Sequence, residues 1–362
     1  MRATSYLMIL IGAIFIAFVP VQAQESPLND YKNSSQAWPL PPVGPKAVTT
    51  KTILYVATDL TNGGILGVAE GLEEAAKEIR WQLIVSDAGG DNSKIAIILK
   101  NAINQNLDGI IIGGFNSSKF AVELQALADK NVKIVGWHSG GTSGPLKDSP
   151  VLTNITTDPD QVAQYSVDEV KGDSAKAAGV IIFTDSHYEI ALKKSAFMEK
   201  AIRQCSHCET LEIIDLDLSE ETSIAQKRIK QLLDKYGSQW THSLAINDRY
   251  FDFAAPVFAT YEKDFPMLIK NISAGDGSYS AYLRIKYGGL QYATIPEPLL
   301  LQGWQLIDEL NRLFNDKPPS NYVSPTIIIT EENILKEVNK NNLFDPLNLY
   351  RKTYMNSWKV DN

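Results

Sequence analysis

Side chains able to bind a polar molecule follow the apolar stretches of this sequence at several points. They are His138, Asn247, Asp248, Asp276 and Glu297. Carboxylates, amides and imidazoles hydrogen bond to polar ligands, and a bond to a charged group is about twice as strong as a neutral one. The same residue types could also transfer protons as general acids and bases. The pattern therefore indicates either a binding site or an active site.

Motifs of known catalytic sites do not accompany these residues. The sequence lacks the G-x-S-x-G, H-E-x-x-H and P-loop patterns. His187 stands near Lys193, but no nucleophile accompanies the pair. We therefore expect a binding protein with no catalytic residue, no cofactor and no metal, and a hydrolase is the less favoured alternative.

A glycine-containing turn follows the first apolar run and leads into a helical pattern. It contains Asn62, Gly63 and Gly64, with Gly67 further on. This spacing does not match the G-x-G-x-x-G fingerprint of dinucleotide-binding proteins. Unpaired N–H groups at a helix start still attract electron-rich ligand atoms. Two roles stay open for Asn62, which can cap the helix or contact a ligand through its amide.

The first 23 residues have the pattern of a secretory signal peptide. Arg2 precedes an uncharged apolar run from Leu7 to Val19, and small residues up to Ala23 supply a cleavage site. The run is too short to span a membrane comfortably, which favours a cleaved signal peptide. An uncleaved anchor is the alternative. We expect residues 1–23 to be removed and the mature chain to be exported.

Composition is that of an ordinary globular protein. The chain has 362 residues, of which 44% are hydrophobic and 21% charged, and this length favours two domains. The net charge of −8 argues against nucleic acid as a partner, because phosphate binding requires a basic surface.

The two cysteines, Cys205 and Cys208, are separated by Ser206 and His207. In an exported protein this pair favours a local disulfide. A zinc site that includes His207 is the alternative, but a second pair of ligands is missing.

Strand and helix patterns alternate along most of the chain. Strands are predicted at 52–58, 82–86, 109–112, 132–137, 151–155, 178–183, 210–216, 242–246, 267–273, 290–295 and 323–329. Helices are predicted at 64–80, 93–106, 118–130, 159–173, 188–204, 223–236, 249–262, 278–287 and 299–315. Short apolar strands that alternate with helices form parallel sheets covered on both faces. The sequence therefore predicts an α/β fold with two doubly wound, Rossmann-like lobes.

Three segments in this framework are distinctive. LAIND (Leu244–Asp248), AGDG (Ala274–Gly277) and YATIPEP (Tyr292–Pro298) all follow or include predicted strands. With LDGIIIG (Leu107–Gly113), they resemble the periplasmic sugar-binding proteins of the ribose and galactose type, which serve ABC importers. The resemblance covers about residues 51–330 and is closest to an uncharacterised subgroup of that family.

The resemblance implies a ligand site between the lobes. Edge groups for sugar hydroxyls would be Asn62, His138, Asn247, Asp276 and Glu297, with Asp248 and Lys193 behind them. Aromatic rings would face the sugar ring. The candidates are Phe115, Trp137, Tyr188, Tyr250 and Tyr279, although Trp137 could equally pack in the core. His138 and Ser139 replace an Asp-Arg pair of the family, and Glu297 replaces a glutamine.

The resemblance also implies a type I periplasmic binding fold with a three-segment hinge. We expect a proline-rich extended segment at 24–50, a first lobe of 51–155 with 277–322, and a second lobe of 156–276 with 323–350. Residues 351–362 would form a C-terminal tail.

The implied function is solute binding in the periplasm. The protein would be a monomer that closes on a pentose, hexose, polyol, nucleoside or sugar acid and delivers it to the permease of an ABC importer in the inner membrane. A ligand sensor coupled to a chemoreceptor or a sensor kinase is the alternative.

Overall fold

The computed structural model describes residues 34–173, 177–261 and 268–359. The predicted signal peptide, residues 1–23, lies outside the described residues. Within the described ranges, no helix is long and apolar enough to cross a membrane.

The first lobe contains a five-stranded parallel sheet. Its strands are β1 (Thr52–Ala57), β2 (Gln82–Asp87), β3 (Gly109–Gly113), β4 (Lys133–Trp137) and β5 (Asn154–Ile155). Their spatial order is β2-β1-β3-β4-β5. The helices of this lobe are α1 (Gly63–Ile79), α2 (Asn92–Ala102), α3 (Ala121–Asp129), α9 (Leu299–Phe314) and α11 (Tyr350–Trp358). Strand β3 is buried along its whole length, as expected for a parallel sheet covered on both faces.

The second lobe repeats this architecture. Its strands are β6 (Ala178–Thr184), β7 (Cys208–Asp215), β8 (His242–Ala245), β9 (Lys270–Ser273) and β10 (Ala293–Thr294), in the order β10-β9-β8-β6-β7. Its helices are α4 (Pro159–Gly172), α5 (Glu189–Arg203), α6 (Thr222–Tyr236), α7 (Arg249–Thr260), α8 (Tyr279–Lys286) and α10 (Ile334–Glu337). All strand pairs in both sheets are parallel. The predicted α/β fold with two parallel-sheet lobes is confirmed.

The predicted boundary between the lobes needs correction. The prediction assigned all of 277–322 to the first lobe, but β10 pairs with β9 in the second sheet. Two parallel neighbouring strands require a crossover, and α8 supplies it. The chain therefore returns to the first lobe after Thr294, not near residue 276. Residues 323–329, predicted as a strand, contribute only an isolated bridge from Ile329 to Thr294.

The C-terminal residues also differ from the prediction of a tail. Helix α11 packs on α9, and the rings of Trp358 and Trp304 are stacked with their centroids 5.4 Å apart. Tyr350, Tyr354 and Trp358 recur every four residues, so they lie on one face of the helix. All three side chains are buried, which anchors this segment to the first lobe.

The N-terminal segment 34–50 contacts both lobes. Trp38 packs edge-on against Phe344, next to the core cluster of α8 and α10. Further along, the backbone N–H of Ala47 donates to the carbonyl of Trp358, at 3.0 Å. The proline-rich segment is therefore fixed to the surface across the junction of the lobes.

Cys205 and Cys208 are joined by a disulfide bond. The bond lies in the turn between α5 and β7, at the amino end of β7, whereas the cavity described below lies at the carboxyl ends of the strands. Since both sulfur atoms are bonded to each other, they are not available to a zinc ion in this state.

Candidate functional site

A cavity lies between the two lobes, where the carboxyl ends of both sheets face each other. The space between its walls is about 410 Å³, part of which is open to solvent. Its lining is Asn62, Ile65, Gly114, Trp137 and His138 from the first lobe, and Tyr188, Ile190, Ala191, Lys194, Leu218, Ile246, Asn247 and Asp276 from the second. Open α/β sheets bind their ligands at this edge, so the cavity is the candidate site.

Asp276 is the carboxylate that lines this cavity. The side-chain Nδ2 of Asn247 donates to its Oδ2 at 2.9 Å, whereas Oδ1 receives no hydrogen bond from the described part of the chain. Burial is the main cause that raises the pKa of Asp276, and the charge of Glu297 adds to it. The electrostatic interactions with His138 and Lys194 act in the opposite direction. The site thus offers an acceptor atom to a ligand.

Asp248, predicted behind the ligand, holds the loop that carries Asp276. Its Oδ2 accepts from the backbone N–H of Gly277 at 2.8 Å, and its Oδ1 accepts from Gln291 at 2.6 Å. Gly277 has a φ of +82°, a conformation in which glycine avoids the strain of a side chain. Asp248 therefore positions the loop and lies outside the cavity lining.

Lys194, and not the predicted Lys193, reaches the cavity. Lys194 is only 2% exposed, and its Nζ donates to the carbonyl of Ala274 at 2.8 Å. Lys193 is turned towards the surface, with its Nζ 3.7 Å from Asp160. The lysine that reaches the cavity is therefore Lys194, one position after the predicted Lys193. Helical periodicity would have found Lys194, because it shares the buried face of α5 with Ile190, Ala191, Met198 and Ile202.

Asn62 combines the two roles that the sequence left open. Its Oδ1 accepts from the N–H of Gly64 at 2.9 Å and caps α1, and its side chain also lines the cavity. Gly64 lies directly against Asp276 of the other lobe. A Cβ atom at Gly64 would be 2.7 Å from both Cβ and Cγ of Asp276. The start of α1 and the loop after β9 are thus in contact across the cleft.

Trp137 and His138 form a stacked pair at the end of β4. Their ring centroids are 3.8 Å apart and their planes differ by 10°. The indole Nε1 of Trp137 donates to Gln302 at 2.8 Å. His138 has a φ of +48°, and its Nε2 lies 3.2 Å from Oε1 of Glu297. Both rings line the cavity, so Trp137 is a wall residue as well as a core residue.

Glu297 lies beside the cavity lining, at the junction of the lobes. Thr157, in the segment from β5 to α4, donates its N–H at 3.0 Å and its hydroxyl at 2.6 Å to the carboxylate. Gln302 donates a third bond at 2.5 Å. Glu297 itself belongs to the segment from β10 to α9. Since both segments cross between the lobes, the hydrogen bonds of Glu297 with Thr157 connect two of the chain crossings.

The charge state of Glu297 follows from these contacts. Burial alone would raise its pKa, but the charge and hydrogen bond of His138, the charge of Lys194 and the Thr157 hydroxyl lower the pKa to about 2. The carboxylate is therefore ionised and has its bonds satisfied by the protein.

His138, Asp276 and Glu297 also have ligand atoms within 4.8 Å of one another. That spacing could hold a metal ion. However, Glu297 already accepts bonds from Thr157 and Gln302, and the buried ammonium group of Lys194 lies near the same carboxylates. The arrangement is therefore better suited to hydrogen bonding with a ligand than to metal binding.

The predicted aromatic residues are divided among three environments. Tyr188 lines the cavity and also a second interlobe cavity of about 410 Å³, which Phe115 lines as well. Tyr250 is fully buried in the second lobe, where its hydroxyl donates to the carbonyl of Leu216 at 2.9 Å. Tyr279 is 54% exposed. Only Trp137 and Tyr188 are therefore placed to face a ligand in the first cavity.

Two further contacts join the lobes outside the first cavity. Arg249 of the second lobe donates through Nη1 to the hydroxyl of Thr61 at 3.0 Å. Lys119 of the first lobe donates to the carbonyl of His187 at 3.2 Å. These exposed hydrogen bonds hold the two lobes together.

Sequence reasoning missed the aliphatic part of the cavity wall. It is formed by Ile65, Ile190, Leu218 and Ile246, each at most 6% exposed. In the sequence these residues resemble ordinary core positions, and no local pattern distinguishes an apolar side chain that faces a cavity from one that faces a core.

Two facing α/β lobes with a partly polar cavity between their carboxyl ends define the class of two-lobed binding proteins. The family model described as the periplasmic binding protein domain matches residues 53–318. The chain belongs to this family. No curated protein sequence matches the chain at a significant level.

Solved structures of low sequence identity share the fold. GanP, a glucose-galactose binding protein from Geobacillus stearothermophilus, is 18% identical, with a TM-score of 0.69 over 79% of this chain and 99% of that one. The 5-methylthioribose transporter solute binding protein from Thermotoga lettingae, in complex with 5-methylthioribose, is 15% identical, with a TM-score of 0.68 over 86% and 94%. The Caulobacter myo-inositol binding protein, bound to myo-inositol, is 17% identical, with a TM-score of 0.67 over 78% and 94%.

Proposed function

We propose that this protein is a periplasmic solute-binding protein of an ABC importer, and that it binds a small sugar-like molecule between its lobes. The observation that carries the proposal is the set of buried polar groups that both lobes direct into one cavity around Asp276. Membership of the periplasmic binding protein family supports a binding role without turnover.

The unused hydrogen-bonding capacity of the cavity suits hydroxyl groups. Oδ1 of Asp276 can accept, the amide nitrogen of Asn62 can donate, and Lys194 uses one of its three donors on Ala274. A hydroxyl donates and accepts at the same time, so it can bridge the carboxylate and the ammonium group. The fold neighbours named above bind glucose or galactose, 5-methylthioribose and myo-inositol, which are all polyhydroxylated.

Closure of the lobes on the solute is part of the proposal. Asn62 and His138 belong to one lobe, and Lys194, Asn247 and Asp276 belong to the other. A ligand that contacts both groups binds the closed state more tightly than an open one, and it shifts the population accordingly.

Thermal unfolding in the presence of a panel of sugars, polyols, amino acids and short peptides tests the binding role. A ligand at one hundred times its Kd stabilises the native state by about 2.7 kcal/mol, which raises Tm by about 4 °C for a chain of this size. Asp276→Ala is expected to abolish the shift, whereas the exposed-site control Asp129→Ala retains it. A panel in which only amino acids or peptides raise Tm would contradict the sugar assignment.

The transport role needs a separate measurement. Uptake of the labelled sugar that binds best is compared between cells that produce the protein and cells that lack its gene. Loss of uptake at low sugar concentration supports the importer. Unchanged uptake by cells whose protein still binds the sugar would exclude it.

A further inference from the structure

We propose that residues 34–50 form a strap that holds the two lobes in their closed orientation and thereby raises ligand affinity. This device goes beyond solute binding itself, because it sets how readily the lobes separate. The strap is fixed to the second lobe at one end and to the first lobe at the other, and the residues between these two attachments are stiff.

The beginning of the strap is attached to the second lobe. Ser35 is fully buried, and its backbone N–H donates to Oε2 of Glu337 in α10 at 3.1 Å. Trp38 packs edge-on against Phe344 with the ring centroids 5.5 Å apart, at the cluster that joins α8 and α10. Separation of these groups would leave the buried Glu337 carboxylate without this donor and would expose apolar ring surface.

The end of the strap is attached to the first lobe through α9. The side chain of Asn311 is fully buried, and both of its amide groups bond to the strap. Its Nδ2 donates to the carbonyl of Pro45 at 3.0 Å, and its Oδ1 accepts from the N–H of Val48 at 3.0 Å. Arg312 donates to the carbonyl of Pro42 at 2.8 Å. These bonds fix the second half of the strap on α9.

The two attachments are connected by the sequence Trp38, Pro39, Leu40, Pro41 and Pro42. Proline restricts its own φ and keeps the preceding residue extended, and Trp38 has the φ of −64° and ψ of 143° typical of polyproline II. This conformation rises about 3.1 Å per residue and is semi-rigid. Four such steps keep the attachments about 12 Å apart, so the strap resists both stretching and shortening.

A second connection, residues 345–349, runs beside the strap. It leads from Phe344 in the second lobe to Tyr350, which is buried in the first. The side chain of Asn348 donates to the carbonyl of Pro39 at 3.2 Å. These two connections supplement the chain segments that follow β5, β10 and α9. A change in the angle between the lobes must therefore disturb the strap.

The open state bears the cost of this disturbance. When the lobes rotate apart, either the contacts at one attachment break or the proline-rich part bends away from its preferred conformation. Both outcomes destabilise the open state relative to the closed state described above. Because the apparent Kd of a ligand rises as the binding-competent state becomes less populated, loss of one attachment is expected to lower affinity about 2- to 10-fold.

Distances between spin labels in the ligand-free protein test the strap directly. Lys94→Cys on α2 and Lys227→Cys on α6 place the labels on exposed residues. These helices follow β2 and β7, the sheet edges farthest from β5 and β10. The native cysteines are bonded to each other, so the labels attach to the introduced ones. Pulsed electron spin resonance then gives the distribution of distances between the lobes.

Trp38→Ala removes the attachment to the second lobe. It is expected to increase the share of long distances relative to the protein with an intact strap. Tyr287→Ala is the matched control, because this aromatic side chain is 74% exposed, and its distances should be unchanged.

A second variant keeps both attachments and removes only the stiffness between them. Pro39→Gly with Pro42→Gly retains both carbonyl acceptors but frees the backbone, and it is expected to shift the distances in the same direction. Unchanged distances in this variant and in Trp38→Ala would overturn the strap. An effect in Trp38→Ala alone would overturn the role of its stiffness.

Calorimetric titration of the best-binding sugar measures the effect on affinity, and this part rests on the proposed function. Trp38→Ala is expected to bind about 2- to 10-fold more weakly than Tyr287→Ala. Equal affinity would overturn the effect of the strap on binding. If no sugar binds, the proposed function fails, whereas the label distances still decide whether the strap holds the lobes together.

Discussion

Gly64 is the residue where the closed arrangement of the lobes can be tested with the smallest change. It lies in the first turn of α1, and its backbone is helical. Alanine is a better helix former than glycine by about 1 kcal/mol, so Gly64→Ala is compatible with the fold of the first lobe. The added methyl group would instead meet the other lobe.

The size of the expected effect follows from the cross-cleft distances. The new Cβ would lie 2.7 Å from Cβ and Cγ of Asp276, which is closer than carbon atoms approach. Rotation of the carboxylate cannot relieve a clash with Cβ, so the loop or the whole lobe must move. Overpacking of this kind costs about 1–3 kcal/mol. Because the cost falls on the closed state alone, ligand affinity is expected to fall about 5- to 150-fold.

The assay combines calorimetric titration of the best-binding sugar with urea unfolding of the free protein. Gly172→Ala is the matched control, since a Cβ there meets nothing within 4 Å among the described residues. Gly64→Ala should lose affinity with an unchanged or slightly raised unfolding midpoint, and the control should bind normally. Full affinity in Gly64→Ala would show that the ligand-binding state differs from the closed arrangement described above.

Three further predictions concern residues around the cavity. Lys194→Met is expected to lower the free energy of unfolding by about 1–3 kcal/mol, because it removes a buried charged donor. Lys193→Met is expected to change it by less than about 0.5 kcal/mol. Chemical denaturation measures both, and equal effects would contradict the assignment of Lys194 as the buried lysine. The pKa of Glu297 is about 2 in the folded protein, and its ordinary value is 4.5. Its ionised form therefore stabilises the protein above pH 4.5, by an amount on the order of 3 kcal/mol. This contribution is lost as the pH falls towards 2. The stability difference between wild type and Glu297→Gln should therefore be larger at pH 6 than at pH 3, and a difference independent of pH would refute the ionised assignment. Arg249→Ala removes a bond between the lobes to Thr61 and is expected to speed sugar release about 2- to 10-fold in stopped-flow measurements, with unchanged release as the contrary result.

The fold could be predicted because its signals are local. Buried parallel strands such as β3 appear as continuous apolar runs, and the alternation with helices identifies the α/β class. The prediction that β10 belongs to the first lobe was wrong, because the sequence of a two-residue strand does not indicate which strand it pairs with. Pairing with β9 is a long-range choice that only the assembled sheet settles.

The site could be predicted in part. Asn62, Asn247 and Asp276 lie in the short segments that follow β1, β8 and β9, so polar residues after each strand indicate the cavity. The family resemblance indicates Lys193, whereas the helical period of α5 places Lys194 on its buried face. The roles of Asp248 and Glu297 depend on Gly277, Thr157 and other partners distant in sequence, and a carboxylate that ties loops together has the same sequence signature as one that binds a ligand.

The central claim is that a sugar-like solute is held between the lobes by groups from both of them. A crystal structure of the protein with the tightest-binding sugar of the panel tests it most directly. The account predicts the sugar in the interlobe cavity, with a hydroxyl on the carboxylate of Asp276 and at least one contact from Asn62 or His138. A sugar bound outside this cavity, or held by one lobe alone while the other lies apart, would contradict it.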